Sequence, residues 1–251
     1  MGLFGRSASR LQGRTALLLP ADPGEALMGA ARLYDPGVRP WPGRMVFRNG
    51  VLLFGPVAVT PKLEQQAGLP AGMAVAYYTG AAGHTAGGDR SHEAKRSDGD
   101  KLIRGLADRL GGTVRYAGAP PDLALVTSVY SEQALTPGQV IEVLRHHGGD
   151  FKVEDQAEET YSLSGKGTYF YVAYWSARLY REPDTPPAVG AMRSRPLHHW
   201  DLHGGTGRKH AAPELVHKMG EATLALASRS GGVAVDTLGF PVSSPDDLLL
   251  R

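Results

Sequence analysis

The feature that most constrains this chain is a pattern that occurs twice, about 110 residues apart. TALLLPA (15–21) reads as a strand, and DPGEALMGAARLYD follows it with a Pro-Gly start and apolar Ala26, Leu27, Ala30, Ala31 and Leu33, a short helix. LALVTSVYS (123–131) reads as a strand again. TPGQVIEVLRHHGG then supplies Thr136 as N-cap, Pro137 at the first helical position and apolar Val140, Ile141, Val143 and Leu144.

The ends of the two stretches also correspond. SDGDKLIRGLADRLGGTVRYAG (97–118) is an amphipathic helix with Leu102, Ile103, Leu106 and Leu110 on one stripe, stopped by Gly-Gly and followed by a short strand. PELVHKMGEATLALASRSGGVAVDTLG (213–239) does the same, with Leu215, Val216, Met219, Ala222 and Leu226. Between them lie RMVFRNG and VLLFGPVAV around an Asn-Gly hairpin turn, then MAVAYYTG, and in the second stretch DFKVEDQAEETYSLSG, TYFYVAYWSARLY and RPLHHWDLHGG.

Each half therefore reads β-α-β-β-β-α-β. The expected fold is α+β: two tandem ferredoxin-like halves with mostly antiparallel sheets, related by an internal pseudo-two-fold repeat, the helices covering one sheet face. Residues 1–14 are expected to be a disordered basic tail, 15–118 the first half and 119–251 the second, with the boundary in AGAPPDLA and its Pro120-Pro121. Two packed halves would leave a cleft between them, a natural place for a ligand.

Composition narrows the class. With 251 residues the chain is long enough for a real core, it has no Cys, and no long uncharged apolar run opens it. These point to a soluble cytoplasmic protein with neither disulfides nor a membrane partner. A net charge of +2 permits an anionic partner but falls well short of a dedicated DNA-binding domain.

Three stretches carry candidate chemistry. In LHHWDLHGG (197–205), strand alternation puts His199, Asp201 and His203 on one face, as catalytic candidates, and His198, Trp200 and Leu202 on the other. Same-face neighbours on a straight strand stand roughly 6.5–7 Å apart, so the outer two lie about 13 Å apart. Ligands at about 2.0–2.2 Å from one ion cannot span that, and no metal set is assigned.

The second candidate is a pair of Gly-rich basic helix entrances. GAAGHTAGGDRSHEAKRSDGDK (80–101) offers Arg90, His92, Lys95 and Arg96, and GGTGRKHAAPE (204–214) offers Arg208 and Lys209. Helix N-termini favour anions, and the first segment is long enough to close over a ligand as a loop.

The third is KGTYFYVAYW (166–175), which is similar to the RNP1 pattern of RNA-recognition motifs once Thr168 is counted as an insertion. Tyr169 and Tyr171 would then share an exposed face able to stack bases.

No GxxxxGK[ST], GxGxxG, GxSxG, HExxH or CxxC motif is present, nor the paired H-x-T/S signature of two-histidine phosphoesterases. The sequence leaves the cofactor, and whether a metal is bound, open. The reading from sequence is thus a non-enzymatic binding protein that engages an anionic small molecule or a protein partner at the cleft. The alternatives are a hydrolase acting on a phosphorylated substrate, with or without the help of a metal and with His199 or His203 as acid or base, and an RNA-binding protein.

Overall fold

A computed structural model describes residues 9, 11–81, 92–120, 123–147, 149–165, 170–179, 185–207 and 211–248. The chain divides into two compact units, residues 1–121 and 122–250. It is an α+β protein with two antiparallel six-stranded sheets, one in each unit.

The first unit runs β1 (Ala16–Leu19), α1 (Glu25–Tyr34), β2 (Arg39–Trp41), β3 (Arg44–Val46), β4 (Val51–Ala58), α2 (Pro61–Ala67), β5 (Val75–Ala81), α3 (His92–Leu110) and β6 (Thr113–Arg115). Its sheet order is β2-β3-β4-β5-β1-β6. The second unit runs β7 (Ala124–Ser131), α4 (Pro137–Leu144), β8 (Lys152–Gln156), β9 (Thr160–Ser164), β10 (Tyr171–Trp175), β11 (His198–Gly207), α5 (Pro213–Ser230) and β12 (Val233–Asp236). A 3-10 segment, Pro187–Ser194, lies between β10 and β11. The sheet order is β8-β9-β10-β11-β7-β12, the same sequence of strands as in the first unit.

Each unit has six strands where five were expected. Pro42 and Gly43 make a tight turn between β2 and β3, with Gly43 at φ +72°, so that Arg39–Trp41 folds back as an edge strand. In the second unit the single strand expected over 151–165 is a β8–β9 hairpin. Helix α2 was also not anticipated. Its N-cap is Thr60, whose hydroxyl accepts from Leu63 N, and it contains too few residues for periodicity to reveal it.

The helix expected from residue 97 starts at His92, so part of the expected loop 80–101 is helical. HEAKRSDGDK has no apolar stripe. The helix is anchored instead by Leu102, Ile103 and Leu106 further along, all fully buried. Leu11, which the sequence reading left in a loose tail, is likewise fully buried, and its carbonyl accepts from Arg115 Nη1 at 2.8 Å.

The double glycines have the same cause in both units. Gly111 and Gly231 take φ of +67° and +63°, the left-handed cap that an L-residue resists. The next glycines donate back to Ala107 O and Ala227 O, at 2.9 and 2.8 Å. A Cβ on Gly112 would meet Leu18 O at 2.8 Å, and one on Gly232 would meet Tyr130 O at 2.5 Å. Only glycine lets the returning strand pass so close.

In the second unit α4 and α5 cover one sheet face. Val140, Leu144, Leu215, Val216, Met219 and Leu226 pack there on Leu125, Val129, Tyr161, Val172, Trp200 and Leu202. Trp200 is fully buried and its Nε1 donates to Tyr161 Oη at 2.8 Å, which satisfies the polar edge of the largest core side chain.

Candidate functional site

The opposite face of the second sheet holds the candidate site. Register places three rows of side chains across β7, β11 and β10: Tyr130–His199–Trp175, Ser128–Asp201–Ala173 and Val126–His203–Tyr171. The expected alternation is observed, with Trp200 and Leu202 in the helix-covered core and His199, Asp201 and His203 turned the other way.

Two of the rows are stacks of rings. The His199 imidazole lies between Tyr130, 4.4 Å away between centroids, and Trp175, at 5.2 Å. His203 lies on Tyr171 at 4.5 Å with the planes 1° apart. The middle row is low, because Ser128 and Ala173 are small, and Asp201 rises from its centre.

Both imidazoles bend toward that carboxylate. His199 Nε2 is 2.6 Å from Asp201 Oδ1, and Ser128 Oγ donates to the same oxygen at 2.5 Å. His203 Nε2 stands 3.9 Å from Oδ2, beyond direct hydrogen-bond reach but spaced for one donor group to bridge the two. The trio that a straight strand would spread over about 13 Å is therefore drawn together at its middle member.

Burial opposes ionisation of Asp201, yet the hydrogen bonds from His199 and Ser128, with the nearby imidazoles, outweigh it and hold its pKa below the ordinary value. His203 is pushed below its ordinary value chiefly by burial, with Asp201 pulling the other way. At neutral pH the face thus carries one fixed carboxylate beside a neutral His203 imidazole. His198 points to the core side, where its Nδ1 and Tyr174 Oη are 2.7 Å apart, and burial lowers its pKa too.

Part of this face is covered. The 3-10 segment lays Ala188, Val189 and Met192, with Leu197, against Tyr130, Val233 and Val235, sealing the β7–β12 side. Toward β10 the face reaches solvent at Tyr171, which is 43% exposed. Beyond β10 the rows continue through Thr160, Ser162 and Ser164 of β9, all hydroxyl-bearing and half-buried.

Of the residues singled out from sequence, the structure brings together His199, Asp201, His203 and Tyr171. Lys95 and Arg96 lie in α3 of the first unit, with Lys95 against the Asn49–Gly50 turn. His92 opens the same helix. Arg90, Tyr169, Arg208 and Lys209 lie outside the described residues. Among the described residues, no group of three or more His, Cys, Asp or Glu side chains could hold a metal ion, and no helix is long and apolar enough to cross a membrane.

Sequence reasoning missed Ser128, Tyr130 and Trp175. Alternation in LALVTSVYS does put Ser128 and Tyr130 on one face, but only the β7–β11 pairing shows that this face is the one bearing Asp201. Compared with models of known protein families, with curated proteins and with solved structures, the chain finds no match in any of the three.

Proposed function

We propose that the chain is a non-enzymatic binding protein and that the open rows of the second sheet receive a protein partner. The observation behind this is the row pattern itself: rigid aromatic and imidazole rings flank a low polar floor, and Tyr171 stands exposed at the open side. Tyrosine and tryptophan are the side chains that most often anchor protein interfaces, because they offer large contact area with little rotamer entropy to lose. Ser128 donates to Asp201, whose lowered pKa makes it a weak base, rather than to an imidazole, which favours binding over nucleophilic catalysis.

The alternative ligand, an anionic small molecule, fits this face less well, since Asp201 is ionised and His203 is neutral at pH 7. It would use Lys95 and Arg96 on α3 of the first unit. The equal strand orders and double-glycine turns support a finer reading of the architecture, two ferredoxin-like units in tandem derived from an internal repeat.

A hydrolytic role is the second reading, favoured by one observation. A neutral His203, 3.9 Å from a carboxylate, could take a proton from a group bridging the two. In that case His203→Ala abolishes turnover of a phosphorylated substrate.

The binding reading is tested by placing a photoreactive residue at position 171, with position 229 on the exposed side of α5 as control. A protein captured at 171 and not at 229, once purified, should bind the wild-type chain and lose about tenfold or more in affinity with Tyr171→Ala. Equal capture at both positions, or an affinity indifferent to Tyr171, would defeat the reading.

A further inference from the structure

The two sheets differ in charge. The strands of the first sheet contain Arg39, Arg44 and Arg115 and no acidic residue, whereas those of the second contain Glu154, Asp155, Asp201 and Asp236 against a single cation, Lys152. The arginines of the first sheet are also set among rings. Register puts Trp41, Arg44, Phe54 and Tyr78 side by side in one row across β2, β3, β4 and β5, and Arg39 is on the same face, two residues from Trp41.

Contacts along this row are of two kinds, guanidinium on ring and ring on ring. Arg44 Cζ lies 5.7 Å from the Trp41 ring centroid, Phe54 stacks on Tyr78 at 5.2 Å, and Arg14 Cζ lies 5.1 Å from the Tyr78 centroid. Arg14, Arg39 and Arg44 are exposed, and Trp41 is 57% exposed at the edge of the sheet. From Trp41 to Tyr78 the row spans three strand spacings, roughly 14 Å.

We infer that this strip is a docking site for single-stranded nucleic acid, with Trp41 stacking on a base and Arg39, Arg44 and Arg14 contacting phosphates. The pairing of an exposed ring with cations on both sides is what a strand of stacked bases on a phosphate backbone requires, and it needs no base-specific hydrogen bonds. A lipid surface is the poorer match. Interfacial binding scales with buried apolar area, and Trp41 and Leu33 are the only large apolar side chains of the first unit exposed among the described residues. The site belongs to the first unit and does not depend on how the second sheet is used.

The test is fluorescence anisotropy of a labelled oligo(dT) of about 12 nucleotides with the full chain, across a salt series, beside a duplex of the same length and vesicles of phosphatidylserine and phosphatidylcholine. The expected result is binding of the single strand in preference to duplex and vesicles. Trp41→Ala should weaken it about 5- to 150-fold, and Arg39→Ala with Arg44→Ala should make the log–log salt slope shallower by about 1.4. Arg178→Ala in the second unit, also at an exposed arginine, serves as control and should change neither. Both sets of positions lie on the surface, so far-UV circular dichroism should show all variants folded. No binding to the single strand, an equal loss in the control, an unchanged slope, or Trp41-dependent binding to vesicles instead would each overturn the inference.

Discussion

The faces of the two sheets that lie away from the long helices can be compared residue by residue. Thr113 pairs with Leu18 just after one double glycine, and Val233 pairs with Tyr130 just after the other. Following the ladders outward, Leu18, Ala16, Ala76 and Tyr78 occupy the places of Tyr130, Ser128, His199 and Asp201. In the first unit these positions are buried in an apolar cluster with Leu11, Leu63 of α2 and Leu69. In the second they are polar or aromatic and, among the described residues, covered along the β7–β12 side.

The difference shows how one strand order supports two kinds of face. A face that is sealed has no water to satisfy a carboxylate, so only apolar side chains are tolerated there. Where the covering segment stops short, a carboxylate and two imidazoles can stay partly hydrated and hydrogen-bond one another. What connects β4 to β5, a capped helix, and what connects β10 to β11, a 3-10 segment, decides which chemistry is allowed.

On the helix-covered faces the two units should behave alike, and the largest effects belong there. Trp200→Ala should cost the second unit about 3–5 kcal/mol, read as a lower urea midpoint. A change of under about 1 kcal/mol would mean that the second core is far looser than its burial implies. Next comes the clearest contrast between the outer faces. Ala16→Asp puts an uncompensated carboxylate into the sealed face and should cost about 3–5 kcal/mol. The reciprocal change, Ser128→Ala at the matching place, should cost only about 0.5–1.5 kcal/mol, and the Asp201 pKa, followed by carboxyl NMR, should rise as it loses a donor.

The turns should again respond equally. Gly112→Ala and Gly232→Ala each push a methyl group into a backbone carbonyl and should destabilise their units by about 1–3 kcal/mol. A large effect in one and none in the other would break the correspondence of the two units.

The smallest effect is one of pH. His203 has a native pKa below the ordinary 6.5, so the unfolded chain binds that proton first, and stability should begin to fall as pH drops below about 6.5. His198 contributes in the same direction. Asp201, also depressed, contributes stability that is present above 3.8 and lost as pH falls toward its native value. Between wild type and His203→Gln the gap in urea midpoint should be constant above the first window and should change below it, as wild type loses stability that the glutamine variant keeps. Parallel curves would remove His203 from the account.

Much of this architecture can be read from the chain. Pro137 behind Thr136 announces α4, and the capping box formed by Thr136 and Gln139 is present. The period of Leu215, Val216, Met219, Ala222 and Leu226 announces α5, and the double glycines announce both strand returns. Short elements escaped because three or five residues show no period: β2 rests on a two-residue turn, and β8 is exposed throughout and charged, so it resembles a loop. At the site, the alternation of His199, Asp201 and His203 was legible, but their convergence on one carboxylate was not, since a straight strand gives no warning of side chains leaning together.

Local physics, then, is what the sequence determined by itself: periodicity, caps, glycine turns and the face to which each strand residue points. These depend on neighbours within a few positions, where backbone geometry leaves few choices. The tertiary structure alone decided which faces meet water. Ser128 and Tyr130 join Asp201 and His199 only through the pairing of β7 with β11, some 70 residues apart in the chain. Whether a carboxylate on a sheet is tolerated depends on what packs over it, and no spacing within a strand encodes that.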